Sequence, residues 1–302
     1  MRTIGRVALN LAALASAIVV ALTATVMVPA PTVAAQPQTI MQLARLADDV
    51  YLFTMTSYQS MFIVTDEGVI LLDPIGPERA PSLKAAVASV TDQPVRYVVY
   101  CHDHADHISG GAIFDTAQFV SQRSAVDKIA ARGDPLTPTP TVAFDDSMTL
   151  TLGGKTFELY YVGLGHSDNN LLLVYPERRI AFGADFIEAR SAFTTFGFSP
   201  WVDEWIESFT WIYDTLDFDV LAAGHGPLGT KETFLEARGY FEDYMAAIRA
   251  ARAAGLVDNS PEMVSYVRDA LTPKYGSWNR FDDRVEQSVA GLIRYWENRP
   301  AR

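Results

Sequence analysis

The stretch Tyr100-Cys101-His102-Asp103-His104-Ala105-Asp106-His107 puts four potential ligands, His102, His104, Asp106 and His107, within six positions. So dense a cluster is costly through desolvation and repulsion unless something positive fills it. A divalent metal does so, and imidazole with carboxylate suits zinc, manganese or iron. Six positions cannot close two tetrahedral sites, so further ligands must come from elsewhere. The chain has five His in all. The other two sit in glycine-rich turns, Val162-Gly163-Leu164-Gly165-His166-Ser167 and Leu221-Ala222-Ala223-Gly224-His225-Gly226-Pro227. Asp185 follows another apolar run, in Phe182-Gly183-Ala184-Asp185. Metal-assisted hydrolysis is one chemistry such a set could serve. Two metals about 3.5–4 Å apart can share a hydroxide, polarise a carbonyl and stabilise a leaving group. A water so bound ionises near pH ~7, so no Ser or Cys nucleophile is needed. Cys101, the single Cys, directly precedes His102. Alternation turns its side chain away from that of His102, as a buried structural thiol.

The elements that must position these groups are short. Apolar runs at Val50–Thr54, Met61–Thr65, Val69–Asp73, Val95–Cys101 and Gln118–Ser121 read as strands, with Asp66-Glu67-Gly68 a hairpin turn. Pro77–Ser89 and Ala125–Arg132 have helical spacing, and Gly133–Thr141 is a Pro-rich loop. Met148–Val162 reads as a hairpin turning at Gly153-Gly154, and Asn170–Tyr175 and Ile180–Gly183 as strands around another turn. Beyond them, Trp201–Leu216 and Glu232–Ala253 are amphipathic, with a short strand at Asp219–Ala223 between them. Ser260-Pro261-Glu262 is a helix start: a hydroxyl cap, Pro at the first position, then an acid. Phe281, Val285, Val289, Leu292 and Trp296 form one apolar helical stripe. Strands mixed with helices and hairpins predict an α+β fold of packed sheets flanked by helices. Every His then lies at a strand end, where loops converge.

Composition bounds the partners. With 24 Lys+Arg against 36 Asp+Glu, the net charge is −12. Acidity without a basic cluster argues against nucleic acid and anionic membranes. One Cys forms no internal disulfide and no Cys-based zinc finger. At the N-terminus, Arg2 and Arg6 precede a charge-free run from Val7 to Val28, then a small-residue, Pro-rich stretch with Val33-Ala34-Ala35. This is the layout of a signal peptide over residues 1–35. The run is also long enough for an uncleaved anchor, but Asn10, Ser16, Thr23 and Thr25 favour cleavage. Of the 302 residues, 267 remain after Ala35, with a charge of −14 once both early Arg are lost. The expected product is periplasmic or secreted, a monomer or homodimer, without a stable membrane partner.

The pattern resembles the metallo-β-lactamase-fold superfamily. Its H-x-H-x-D-H signature is matched by His102, His104, Asp106 and His107. A Gly-His-Ser turn at His166, an acid at Asp185, a last His at His225 and an early Asp at Asp73 complete it. The resemblance implies an αββα sandwich of two mixed sheets over residues 36–230, with a helical C-terminal extension over 231–302. It also implies two Zn(2+) per chain, with Mn or Fe as alternatives. His102, His104 and His166 would bind one ion; Asp106, His107 and His225 the other. Asp185 would bridge them, Asp73 would hold the ligand loop, and Asp106 is the candidate for a further catalytic role. The implied function is an exported zinc hydrolase attacking a small carbonyl ester, lactone or cyclic amide. A β-lactamase proper is one alternative, and the stretch from Gly165 to Gly183 is similar to secreted zinc β-lactamases. The best-known secreted group has Cys where Asp185 stands; an Asp there resembles glyoxalase-II-like hydrolases and lactonases. Lactonases often carry Tyr three positions later, where this chain has Glu188. A mononuclear iron persulfide dioxygenase is the other alternative, though a complete second ligand set speaks against it. The expected substrate pocket is Tyr58 on a hairpin tip, with Glu188, Arg190, Phe193, Phe196, Phe198 and Trp201. The loop aromatics could equally pack against the C-terminal helices.

Overall fold

Apolar runs bounded by turn residues become strands of two sheets. The computed structural model describes residues 41–193 and 199–298. The signal peptide expected over residues 1–35, and Phe196 and Phe198 of the expected pocket, lie outside them. The first sheet takes its strands in chain order: β1 (Met41–Arg45), β2 (Val50–Met55), β3 (Tyr58–Thr65), β4 (Gly68–Leu72), β5 (Val95–Tyr100), β6 (Gln118–Gln122) and β7 (Val142–Phe144). Neighbours from β1 to β4 are antiparallel and from β4 to β7 parallel. The second sheet contains β8 (Ser147–Leu152), β9 (Lys155–Tyr161), β10 (Leu171–Tyr175), β11 (Ile180–Phe182) and β12 (Val220–Ala222). Its order is β12-β11-β10-β9-β8, antiparallel except for β11 with β12.

The helices are α1 (Ala80–Val90), α2 (Ala105–Ile108), α3 (Arg123–Arg132), α4 (Val202–Thr215), α5 (Thr233–Ala253), α6 (Pro261–Tyr275) and α7 (Phe281–Asn298). Between the sheets, Leu52, Met61 and Ile63 meet Leu159, Leu171, Leu173 and Phe182. Leu83 and Val87 of α1, with Ala125 and Ile129 of α3, cover the outer face of the first sheet. The outer face of the second packs Leu172, Val174 and Ala181 against Trp205, Phe241, Ile248, Val267 and Val285 from α4 to α7. The result is the αββα layering, and the helices beyond residue 231 share a core with the second sheet. Strand β4, buried on both faces, is buried at all five positions, which is why its sequence is a continuous apolar run.

Local signals fix several boundaries. Ser260 Oγ accepts the Met263 amide at 3.1 Å, with Pro261 in the first turn of α6. Along α7, Phe281, Val285, Val289 and Leu292 are buried, and Trp296 is partly buried. Two strands carry no clear sequence signal. Residues of β1 are exposed along its length, so backbone pairing with β2 holds it as an edge strand. β7 is three residues long. Strand β4 stops at Leu72, because Asp73 turns left-handed at φ 53°, a conformation Asp tolerates better than most residues. α1 begins at Ala80 instead of Pro77, after a turn in which Gly76 O accepts the amides of Arg79 and Ala80. Among the described residues, no helix is long and apolar enough to cross a membrane.

Candidate metal centre

The first sheet delivers four candidate ligands just beyond β5. Cys101 packs into the core between the sheets, and burial pushes its thiol pKa well up. His102 follows, buried; His104 is extended (φ −70°, ψ 131°) and precedes the single turn α2, which carries Asp106 and His107. Asp73 braces this loop. Its Oδ1 accepts the Cys101 amide at 2.9 Å, and its Oδ2 lies 3.8 Å from His107 Nδ1. The Ile75 amide donates to His107 O at 2.6 Å.

The second sheet delivers the other three. Asn170 ties the turn after β9, donating to Gly163 O at 2.9 Å and Ser167 O at 2.7 Å. Gly165 is needed for close approach: a Cβ there would stand 2.7 Å from Trp205 Cγ. The Trp205 ring lies 6.4 Å behind that of His166. Asp185 sits in a 3-10 turn, Ala184–Phe186, after β11. His225 follows β12, with its Nδ1 2.6 Å from Ser57 O. A carbonyl can only accept, so this contact puts a ring proton on Nδ1. Burial opposes a second proton, but Asp185 beside Nε2 outweighs it and raises the His225 pKa, so Nε2 is free for an ion only in the neutral ring.

The seven side chains converge. His166 Nε2 is 2.8 Å from His104 Nδ1. Ligand atoms of His102, His104 and His166 lie within 4.8 Å of one another, as do those of His102, His107 and Asp185. Asp185 faces both groups: Oδ1 is 3.1 Å from His107 Nε2 and 3.4 Å from His225 Nε2, and Oδ2 is 3.7 Å from His166 Nε2. Asp106 is at the rim, half-exposed, with Oδ2 3.9 Å from His107 Nε2.

The donor set fits a cation. His102 Nε2 is buried without a hydrogen-bond partner among the described residues, and His107 Nε2 and Asp185 Oδ1 are buried against each other at 3.1 Å, an arrangement costly without an ion. Gly224 keeps the space open, since a Cβ would meet Asp185 Oδ1 at 2.5 Å and His107 Cε1 at 2.8 Å. Burial, reinforced by the neighbouring His166 and His107, holds the His102 pKa well below the usual range. Burial also takes His166 down to about 4. For His107, burial opposes charge, but Asp185, Asp73 and Asp106 outweigh it and raise the pKa to about 9. Asp185 is held well down, because His107, His225 and His166 overcome its burial. Burial lifts Asp73 to about 6 against the pull of His107. A proton on His107 thus supplies positive charge where a metal ion would.

The expected pocket residues divide. Tyr58 stands over the site, half-buried, its ring 4.6 Å from that of His225. Trp201 is half-buried at the start of α4, and Arg190 is an exposed loop charge. Phe193 lines no open groove: it is 2% exposed, its ring packed on Trp205, Phe241 and Phe209. The loop aromatic went to the core because α4 and α5 present aromatic rings to it. Glu188 is likewise buried, and pairs with Arg280. Sequence reasoning missed that partner, which carries no local signal. It also missed the brace behind His102 and His104. There Asn169 Nδ2 donates to Asp103 Oδ1 at 2.7 Å, and Arg132 donates to Asp103 O at 2.6 Å. An acid between two ligand His was the available hint.

Layers, sheet ends and the His/Asp cluster together define a metal-binding αββα protein. Residues 55–251 match the family model of the metallo-beta-lactamase superfamily, and the chain belongs to that superfamily. It is similar to the 2,4-dinitroanisole O-demethylase subunit alpha of Nocardioides sp. (strain JS1661), 26% identical over 246 residues, 78% of this chain and 73% of that protein. It is also similar to a metallo-beta-lactamase type 2 of Elizabethkingia meningoseptica, 24% identical over 180 residues, 55% of this chain and 71% of that one. Among solved structures, a metallo-beta-lactamase from Pontibacter korlensis superposes with a TM-score of 0.61 at 21% identity, over 67% of this chain and 99% of that one. That likeness shows the fold.

Proposed function

We propose that this chain is an exported zinc hydrolase with a two-metal centre, acting on a small carbonyl ester, lactone or cyclic amide. The observation that carries the reading is Asp185, whose two oxygens face His107 and His225 on one side and His166 on the other. His102, His104 and His166 would hold one ion; Asp106, His107 and His225 the other, with Asp185 shared. When bound, such ions polarise a carbonyl oxygen and ionise a water near neutral pH.

The chain's own residues do the rest. Asp73 sets a carboxylate 3.8 Å behind the His107 ring and anchors its loop through the Cys101 amide, and Ser57 O accepts the His225 Nδ1 proton. Trp205 closes the wall behind His166. Asp106 Oδ2, at the rim, is placed to hold or pass a proton to a leaving group. The acidic balance disfavours polyanionic substrates, and the leader at 1–35 supports export.

Cleavage of an aryl methyl ether is a second reading, favoured by the likeness to the O-demethylase subunit over 78% of this chain. Metal analysis of the full chain, followed by a substrate panel, separates the readings. The panel holds a chromogenic cephalosporin, a lactone, an ester, a thioester, a phosphodiester and 2,4-dinitroanisole. Two zinc ions and turnover of a carbonyl substrate are expected. Turnover of 2,4-dinitroanisole alone selects the second reading. One iron per chain with oxygen consumption on a persulfide refutes both.

A further inference from the structure

The β2–β3 hairpin tip touches one group of ligands selectively. Ser57 O meets His225 Nδ1 at 2.6 Å, and the Gln59 amide donates to Gly224 O at 2.8 Å. Tyr58, between them, reaches three ligands at once. Its hydroxyl donates to Asp106 Oδ2 at 3.1 Å. Its ring lies edge-on to His225, centroids 4.6 Å apart, and tilted over His107 at 5.3 Å. The Arg79 guanidinium covers the ring at 3.7 Å. Arg79 is itself anchored, donating to Ile75 O at 2.8 Å and Thr56 Oγ1 at 3.4 Å.

We infer that Tyr58 is a positioning residue for the Asp106–His107–His225 group, and that Arg79 locks it in place. The inference rests on the two-metal reading above. Asp106 needs such help more than its partners. Its side chain is 53% exposed, so without a tether it samples several rotamers, and ordering them would weaken cation binding. The phenol occupies one of the roughly four lone-pair directions of the carboxylate and leaves the others for a cation. The same ring closes one side of His107 and His225. By contrast, the buried rings of His102 and His166 are held from behind, by the Asn169–Asp103 brace and by Trp205. One phenol therefore sets how tightly the second ion is held relative to the first.

Tyr58→Phe keeps the ring and removes only the hydroxyl. Zinc affinities of the full chain are measured by competition with a chromophoric chelator, for wild type, Tyr58→Phe and Arg79→Gln. The weaker zinc step should loosen about 10- to 100-fold in Tyr58→Phe, the range for lost outer-sphere partners. The tighter step and the melting temperature should stay unchanged. Arg79→Gln should loosen the weaker step by less. Equal loosening of both steps, or no change in either, overturns the inference. Wild type with a single zinc step overturns the two-metal reading itself, and this inference with it.

Discussion

Asp73→Asn separates proton control at His107 from metal ligation. Asp73 is fully buried, with Oδ2 3.8 Å from His107 Nδ1 and Oδ1 on the Cys101 amide. Asparagine keeps an oxygen for that amide and removes the charge. In the cation-free protein, burial works against a charged His107, but the three carboxylates around it raise its pKa to about 9. A cation entering this group must displace that proton. Apparent affinity should therefore rise about tenfold per pH unit toward pH 9 and then level off. Between pH 7 and 9 the gain is about 100-fold, or ~2.7 kcal/mol. His102 and His166, held neutral by burial, release no proton in that window. At His225 burial is outweighed by Asp185 and the pKa is raised, so any proton it still carries steepens the slope at the low-pH end. At an effective dielectric near 20, unit charges at 3.8 Å interact by about 4 kcal/mol. Losing that attraction lowers the His107 pKa by at most about 3 units, and a drop of about 2 already brings it to neutrality. The variant should lose the slope above pH 7. At pH 9 it should bind roughly 10-fold more weakly, because the carboxylate that orients the imidazole is gone. Chelator competition at pH 7, 8 and 9, with released protons counted in weak buffer, measures both. A flat wild-type profile, or a full slope in the variant, refutes the reasoning.

On the two-metal reading, Gly224→Ala should abolish binding of one cation and with it turnover, since its Cβ would stand 2.5 Å from Asp185 Oδ1; two ions retained by elemental analysis would contradict this. Asp49 accepts Arg178 Nε at 2.7 Å and the Tyr175 hydroxyl at 2.9 Å, and is paired with Lys155. Asp49→Asn should cost about 2–3 kcal/mol at pH 7 by denaturant melts. Burial raises the Asp49 pKa, but Lys155, Arg178 and Tyr175 outweigh it and hold it below the usual value. Its contribution is therefore present above about pH 4 and lost as pH falls through the lowered folded value. The gap between wild type and variant should close in acid, and a gap that persists at about pH 2 would rule this out. Glu188→Gln and Arg280→Met should each destabilise by about 3 kcal/mol, and the double variant by less than their sum. Strictly additive losses would show that the two do not act as a pair.

The candidate ligand set was legible because its members announce themselves twice, by residue type and by place at the end of an apolar run. Four of them are also local in sequence. What stayed hidden depends on closure between distant segments. Asn169 meets Asp103 across 66 residues, and Glu188 meets Arg280 across 92. Nothing near Glu188 in sequence distinguishes a pocket acid from a buried one; the difference is an arginine ahead of α7. Phe193 was ambiguous for a related reason. An aromatic loop suits a groove or a core equally, and the choice fell to Trp205 and Phe241 on other elements. β1 escaped notice because backbone pairing alone holds it, without a buried face.

The two sheets meet at the metal centre, where the Leu171 amide donates to Cys101 O at 2.7 Å. His102, His104, Asp106 and His107 come from one side of this seam; His166, Asp185 and His225 come from the other. Neither side owns a complete ligand set. A cation there would act as a rivet between the two sheets, its binding free energy adding to their docking. On the two-metal reading, metal starvation should therefore weaken the joint as well as the chemistry. The apolar core between the sheets still holds a metal-free chain together, so limited proteolysis with and without metal would measure how much the rivet adds.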